Sequence, residues 1–385
     1  MERMKCVCTA LIGCLLAYAA VAQTPAPSQP APGPAASAQT PAPAAPSAPQ
    51  SLLGPVDLSG IIDAYYDLNF SHPASGNNQL RNFDMKANQF SLNMAKVTLS
   101  HDPDPIGFRL DFGFGRAFET IHSTEAAPGV FRNIEQAYVS VKPARAKGLE
   151  VDFGQFVTSA GAEVIETKEN WNYSRSLLFA WAIPYYHFGL RATMPLGKYF
   201  TAGVHLVNGW NNVEDNNSGK TVGLTGALAV GKVTWTQTYH VGPEKTGTNR
   251  GLRHLYDTTL LVNATGTTSF HVNYDYGVDK KILGGENRWT GIAGAARFQL
   301  SRVFALAPRL EWFNDADGFA TGTVQKVKEV TLTGEFKLRE GVLTRLEYRR
   351  DWSNAPFFDR GSTPGTYKNQ DTLLAGLVLY FSAKR

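Results

Sequence analysis

From Val56 to the C-terminal end the chain alternates between apolar and wet residues. Phe108, Leu110, Phe112 and Phe114 interleave with Gly107, Arg109, Asp111 and Gly113. Phe270, Val272, Tyr274 and Tyr276 interleave with His271, Asn273 and Asp275, and Val330, Leu332, Phe336 and Leu338 with Glu329, Thr331, Glu335 and Lys337. Successive strand side chains point to opposite faces, so a period of two over ten or more residues makes a strand with one oily and one wet face. Sixteen segments carry the pattern, near 56–70, 88–101, 107–118, 130–142, 149–159, 185–195, 199–210, 220–230, 233–243, 254–264, 268–278, 288–300, 303–313, 326–339, 342–352 and 370–382. Seven short connections alternate with eight long polar ones at 71–87, 119–129, 160–184, 211–219, 244–253, 279–287, 314–325 and 353–369. Sixteen strands with both ends on one side require that count.

The oily faces need a partner. A soluble sandwich would supply a second layer, but segments of ~10–13 residues match a tilted strand crossing hydrocarbon. Their wet faces carry charge in nearly every segment, as a water-filled lumen demands. In lipid any open edge leaves unpaired backbone groups, so the sheet must close. The expected fold class is all-β: a single closed antiparallel transmembrane β-barrel of about 16 strands, with short periplasmic turns and long extracellular loops. No apolar run approaches the 18 residues of a membrane helix; Leu177–Tyr186 and Leu373–Phe381 are the longest. Charged residues make up 18% of the chain, below the usual quarter, beside 36 glycines and 11% aromatics. A net charge of +4 gives no footprint for nucleic acid. Trp235, Tyr239, Tyr256, Trp312 and Trp352 near strand ends suit interfacial girdles. Gly376, Leu379 and Phe381 follow the spacing of a closing barrel strand, with Ser382–Arg385 trailing beyond it.

The first 22 residues read as a secretory signal: Arg3 and Lys5, then the apolar run Ala10–Ala22, ending in an A-x-A site before Gln23. Cys6, Cys8 and Cys14 all lie within it, leaving the processed chain without thiol chemistry. Leu11–Cys14 resembles a lipoprotein box only faintly, because most of the apolar run follows the cysteine. Residues 23–51 form a Pro/Ala-rich tether that cannot bury a core. The barrel should then span 52–385, placed in the cell outer membrane after cleavage near Ala22. Its expected partners are outer-membrane lipid, the barrel-assembly machinery, small hydrophilic solutes or ions, and copies of itself in a trimer.

A specific resemblance lies within Val151–Val222. Asn170-Trp171-Asn172-Tyr173-Ser174-Arg175-Ser176, Pro184-Tyr185-Tyr186-His187 and Asn208-Gly209-Trp210 carry it, helped by the opening "GIIDAYYDLNF" and the "EQAYVSV" strand. Together they resemble the putative β-barrel porin-2 family of bacterial outer membranes, over about residues 52–385. The resemblance implies a pore-forming outer-membrane protein and names no solute. The Pro-Glu-Phe-Gly-Gly stretch of the general porins is absent.

Soluble-enzyme motifs fail on inspection. Gly226–Lys232 begins a phosphate loop, but Val233 stands where Ser or Thr must hold magnesium and a strand follows, so a hairpin turn is the better reading. No G-x-S-x-G or H-E-x-x-H occurs. His205, His240 and His271 fall on nonadjacent strands, poor geometry for a metal. Asp315–Gly318 starts like a calcium loop without its closing glutamate. No cofactor, metal or catalytic constellation is expected, and the chain is not read as an enzyme. Two functions stay in play: a channel for passive diffusion of small hydrophilic solutes or ions, and a non-conducting barrel whose outer loops serve adhesion or scaffolding. Sixteen strands leave an aqueous lumen, which favours the channel.

The expected pore-lining residues are Arg297, Arg309, Glu311, Glu335, Arg345, Glu347 and Arg349, on the phase that turns Phe298, Leu310 and Leu346 to lipid. They form either a salt-bridged wall or an anion-attracting strip. Loop 160–184 is the longest connection, and it mixes Glu163, Glu166, Glu169, Lys168 and Arg175 with six large apolar side chains. Exposing each of those would cost about 1.5–3 kcal/mol. The loop is therefore expected to fold inward as a constriction, with its carboxylates facing the channel and opposing the arginine wall; the alternative is a loop packed outside as a lid or as a contact with a neighbouring copy.

Overall fold

The computed structural model describes residues 54–125 and 129–383. The signal segment 1–22, the tether 23–51 and the trailing Lys384-Arg385 lie outside the described residues.

The sixteen barrel strands are β1 (Asp57–Asn69), β2 (Phe90–His101), β3 (Ile106–Phe114), β4 (Ile134–Val141), β5 (Glu150–Val157), β6 (Tyr186–Pro195), β7 (Phe200–Val207), β8 (Thr221–Val230), β9 (Val233–Lys245), β10 (Thr248–Val262), β11 (Thr268–Lys280), β12 (Glu286–Gln299), β13 (Phe304–Asp315), β14 (Gln325–Arg339), β15 (Val342–Ser353) and β18 (Asn369–Ala383). Each pairs with its chain neighbour, and β1 also pairs antiparallel with β18 from Leu58↔Ala383 to Asn69↔Thr372, so the sheet is a closed barrel. A small hairpin, β16 (Phe358–Arg360) and β17 (Thr363–Tyr367), stands in the last long connection.

The barrel is inside-out relative to a soluble protein. Leu310, Phe153, Phe112, Leu346 and Leu377 are 45–63% exposed on its outer surface, which lipid covers in the membrane. Their neighbours Arg309, Asp111, Arg345 and Glu347 turn inward and are buried. The five girdle aromatics are half-buried or exposed, as outward-facing residues are.

Two expected elements come out differently. The segment 107–118 stops being a strand at Phe114, because Gly115 turns the chain with φ +120°, where a Cβ would lie 2.5 Å from the Asn93 carbonyl oxygen. A short helix, α1 (Arg116–Ile121), follows and buries Phe118 and Ile121 within the barrel. The expected loop 244–253 is a tight turn instead, with Gly247 at φ +75°, because β9 and β10 run on past it. The apolar core is inside the barrel, where Phe83, Tyr173, Leu177, Leu178 and Phe179 from loops meet Tyr65, Met94, Trp289 and Phe313 from strands.

Candidate functional site: a lumen narrowed by two inward loops

The connection between β5 and β6 enters the lumen and is tied to the wall of β13, β14 and β15. Its short helix α2 (Leu177–Trp181) is N-capped by Ser176, whose Oγ accepts from the Phe179 N–H at 3.0 Å. The other free N–H groups of that first turn go to Glu311 of the wall, whose Oε2 accepts from Leu177 at 2.8 Å and Leu178 at 3.4 Å. Glu347 likewise accepts from the N–H groups of Tyr173 at 2.6 Å and Ser174 at 2.9 Å.

The arginines take the carbonyls. Arg309 donates to Ser174 O at 2.7 Å and Glu163 at 2.8 Å while it pairs with Glu329 at 2.6 Å. Arg345 donates to the carbonyls of Thr167 (2.6 Å), Asn170 and Asn172 (3.2 Å) and to Glu335 at 2.6 Å. Arg349 donates to Arg175 O at 2.6 Å and pairs with Asp351 at 2.8 Å. Arg297 reaches Glu335 at 2.7 Å and is half-buried. The wall is thus a ladder of ion pairs whose spare donors and acceptors hold loop backbone. Removing one partner from a buried pair costs ~3–5 kcal/mol, which makes these contacts hard to break singly.

Of the loop residues singled out by sequence, Glu163 meets Arg309, and Glu166 pairs with Lys96 of β2. Glu169 stays exposed and pairs with Lys168. Arg175 is buried and donates to Val164 O at 2.9 Å and to the carbonyls of Tyr173 and Ile165, so it braces the loop from within. Glu163 meets the arginine wall by a direct ion pair rather than across an open channel, and Glu166 turns to Lys96 instead of that wall, while both still border a lumenal cavity. Burial alone would raise both carboxyls. The Arg309 guanidinium and the Ser176 N–H outweigh it for Glu163, and Lys96 does so for Glu166, holding it at about 2.

Two features escaped sequence reading. Loop 70–89 also turns inward. Its Arg81 is held by Asp84 and by Asp351 at 2.8 Å, and Phe83 is fully buried against Phe179 and Tyr185. Arg81 and Phe83 stand in a polar, Asn-rich stretch without period, which gives no signal of burial. The other feature is a cage on the wall of β2, β3 and β4. Lys96 Nζ lies 3.0 Å from Glu135 and 3.6 Å from Asp111, beside Glu166. Those three carboxylates form the one metal-sized acidic group among the described residues, and the lysine ammonium fills it.

Two of the histidines come closer than their places in the sheet suggest. His205 on β7 and His240 on β9 flank β8 at Gly223, where a Cβ would fall 2.6 Å from the His240 ring. His240 Nε2 and His205 Nδ1 therefore come within 3.5 Å, and the His187 ring centroid is 4.8 Å from that of His240. Their being on nonadjacent strands did not keep them apart. His271 stands elsewhere, stacked on Trp171 at 4.6 Å. The Asp315 carboxylate accepts from the Phe319 (2.8 Å) and Thr321 (2.7 Å) N–H groups of its own turn.

Among the described residues, two cavities stand out in the lumen. One, of 540 Å³ on the short-turn side, is lined by Lys96, Arg109, Glu166, Lys168 and Tyr380. The other, of 580 Å³ on the long-loop side, is lined by Arg81, Trp181, Trp210, Asn212 and Arg253. Tyr185 borders both. Its hydroxyl donates to Ala180 O at 3.1 Å and receives the Asn82 amide, so the two inward loops meet at this ring.

A closed sixteen-stranded barrel with an apolar outer belt and a charged lumen crossed by an inserted loop is an outer-membrane barrel of porin type. The profile of the family described as "Putative beta-barrel porin-2, OmpL-like" matches residues 55–381, and the chain belongs to that family. Family and fold point to a channel rather than an enzyme. No curated protein matches the chain. Among solved structures it is similar to an anion-selective porin from Comamonas acidovorans, with 13% identity and TM-score 0.57 over 85% of this chain and 99% of that one. It is also similar to the outer membrane channel DcaP of Acinetobacter baumannii, with 9% identity and TM-score 0.57 over 85% and 97%. OmpT of Vibrio cholerae follows at 11% identity and TM-score 0.56 over 85% and 97%. Identities this low speak for the fold alone.

Proposed function

We propose that this protein is a channel for passive diffusion of small hydrophilic solutes or ions across the outer membrane, with loop 160–184 as its constriction. One observation carries the reading: the inward faces of sixteen strands are polar, and cavities of 540 and 580 Å³ lie on either side of that loop. The pore-lining set is Arg297, Arg309, Glu311, Glu335, Arg345, Glu347 and Arg349. Because each of these arginines has a carboxylate partner, the wall has strong local fields and little net charge. The signal 1–22 delivers the chain for assembly, and copies associate side by side; the Vibrio cholerae OmpT structures include one described as a trimer form.

Planar-bilayer recording of the purified protein tests the reading, with liposome swelling in sugars of graded size beside it. Deleting Glu163–Tyr173 should raise single-channel conductance severalfold. A folded protein that conducts neither with nor without the segment would instead be a non-conducting barrel whose outer loops serve adhesion or scaffolding.

A further inference from the structure

We propose that the 580 Å³ cavity on the long-loop side is a capture site for a neutral, ring-shaped polyol of the sugar class. This deepens the channel reading and rests on it. The cavity's volume is within the ~300–1,000 Å³ usual for small-molecule sites. Tyr185 and Asn82, hydrogen-bonded to each other, are part of its lining, and Tyr185 also borders the second cavity. A solute entering the lumen from the long-loop side meets this cavity first.

The lining names the class. Trp181 and Trp210 are half-buried, and their rings are held in place. Trp181 Nε1 donates to Leu80 O at 3.3 Å, and Trp210 meets the edge of buried Trp289 with centroids 6.2 Å apart. Fixed aromatic surface of this kind suits the apolar face of a pyranose ring at low entropic cost.

The charged groups at the wall are already engaged. Arg81 is held by Asp84 and Asp351, and Arg253 by Asp279 at 3.0 Å while its guanidinium covers Trp210 at 5.0 Å. Glu244 accepts from the Trp210 N–H at 2.8 Å and from the Thr221 hydroxyl at 2.6 Å, and Glu119 pairs with Arg116. An ionic solute would have to compete with those partners. What remains on offer is neutral: the Asn212 side chain takes part in no hydrogen bond among the described residues, and Ser123 and Thr124 stand exposed beside it in the lining. Amides and hydroxyls both donate and accept, which matches a rim of hydroxyls. A flat aromatic solute would use the rings and leave those groups idle.

The test uses the full-length processed protein in detergent micelles, titrated with maltose, glycine and benzoate while tryptophan emission is followed. Maltose should give a saturable change, and the other two should not. Trp210→Ala should weaken maltose by roughly tenfold, the scale of losing one aromatic anchor. Asn212→Ala should weaken it too, and it serves as the second variant should Trp210→Ala fail to fold. Trp235→Phe, on the lipid side, should leave it unchanged. Liposome swelling runs in parallel. Swelling that follows solute size alone, with no saturable maltose binding, removes the capture site and leaves the channel standing. Benzoate binding more tightly than maltose overturns the solute class. Saturable, Trp210-dependent maltose binding in a protein that never swells liposomes upholds the site and overturns the channel.

Discussion

Arg345→Met is the sharpest probe of the link between wall and loop. Methionine keeps most of the side chain's length and removes the guanidinium, which binds the carbonyls of Thr167, Asn170 and Asn172. A hydrogen bond to a charged group contributes ~1.5–3 kcal/mol. Three such bonds set an upper bound near ~4–9 kcal/mol, but the realised loss is smaller. Glu335 keeps Arg297 at 2.7 Å, so no carboxylate is orphaned. The C-terminal half of the loop keeps Arg309, Arg349, Glu347 and Glu311. A net loss of about 2–3 kcal/mol for residues 163–172 alone would raise the fraction of time that this half is released by roughly 30- to 150-fold. Single-channel recording should then show flicker between the wild-type level and a larger one, in a barrel whose far-ultraviolet circular dichroism is unaltered. A conductance histogram identical to wild type, in that folded barrel, would refute the claim that these bonds hold the constriction.

Other outcomes follow from the same geometry. Cysteines introduced at Asn216 or Thr363 should react with an impermeant reagent on intact cells and one at Lys232 should not; the reverse pattern would invert the barrel. The Glu166 carboxyl is held at about 2 against an ordinary 4.5, so the Lys96 tie is fully present above pH ~4.5 and is lost only as pH falls through ~2. Channel noise should therefore stay flat from pH 7 to ~4 and rise below ~3, whereas an onset near pH 6 would contradict the assignment. Gly376→Ala would put a Cβ 2.4 Å from the Tyr173 ring, and the Tyr173 hydroxyl bond to Asp63 at 2.7 Å would be lost with it. We expect ~1–3 kcal/mol of destabilisation, read as a lowered denaturation midpoint; an unchanged midpoint would show that the ring has room to move.

Period two was enough to make the barrel legible. Every one of the sixteen alternating segments became a strand, because in lipid a strand's oily face needs no partner from elsewhere in the chain. Which face was lumenal followed from the same rule, so the inward turn of Arg309, Glu311, Arg345 and Glu347 could be read without coordinates. Strand ends were harder. Gly115 redirects the chain where the alternation ran on into Phe118, and β9 and β10 continue past a turn that composition made look like a loop.

What filled the lumen was decided by tertiary structure. Apolar excess in 160–184 hinted that this loop needs cover, but nothing local told Phe83 or Arg81 that they would be buried, since their partners Tyr185 and Asp351 are about a hundred and about 270 positions away. His205 and His240 looked separate along the chain and met across the width of one strand, because Gly223 has no side chain to hold them apart. Alternation is a property of each strand alone; which inward side chains meet depends on closure and register, and those exist only once the sheet has joined its two ends.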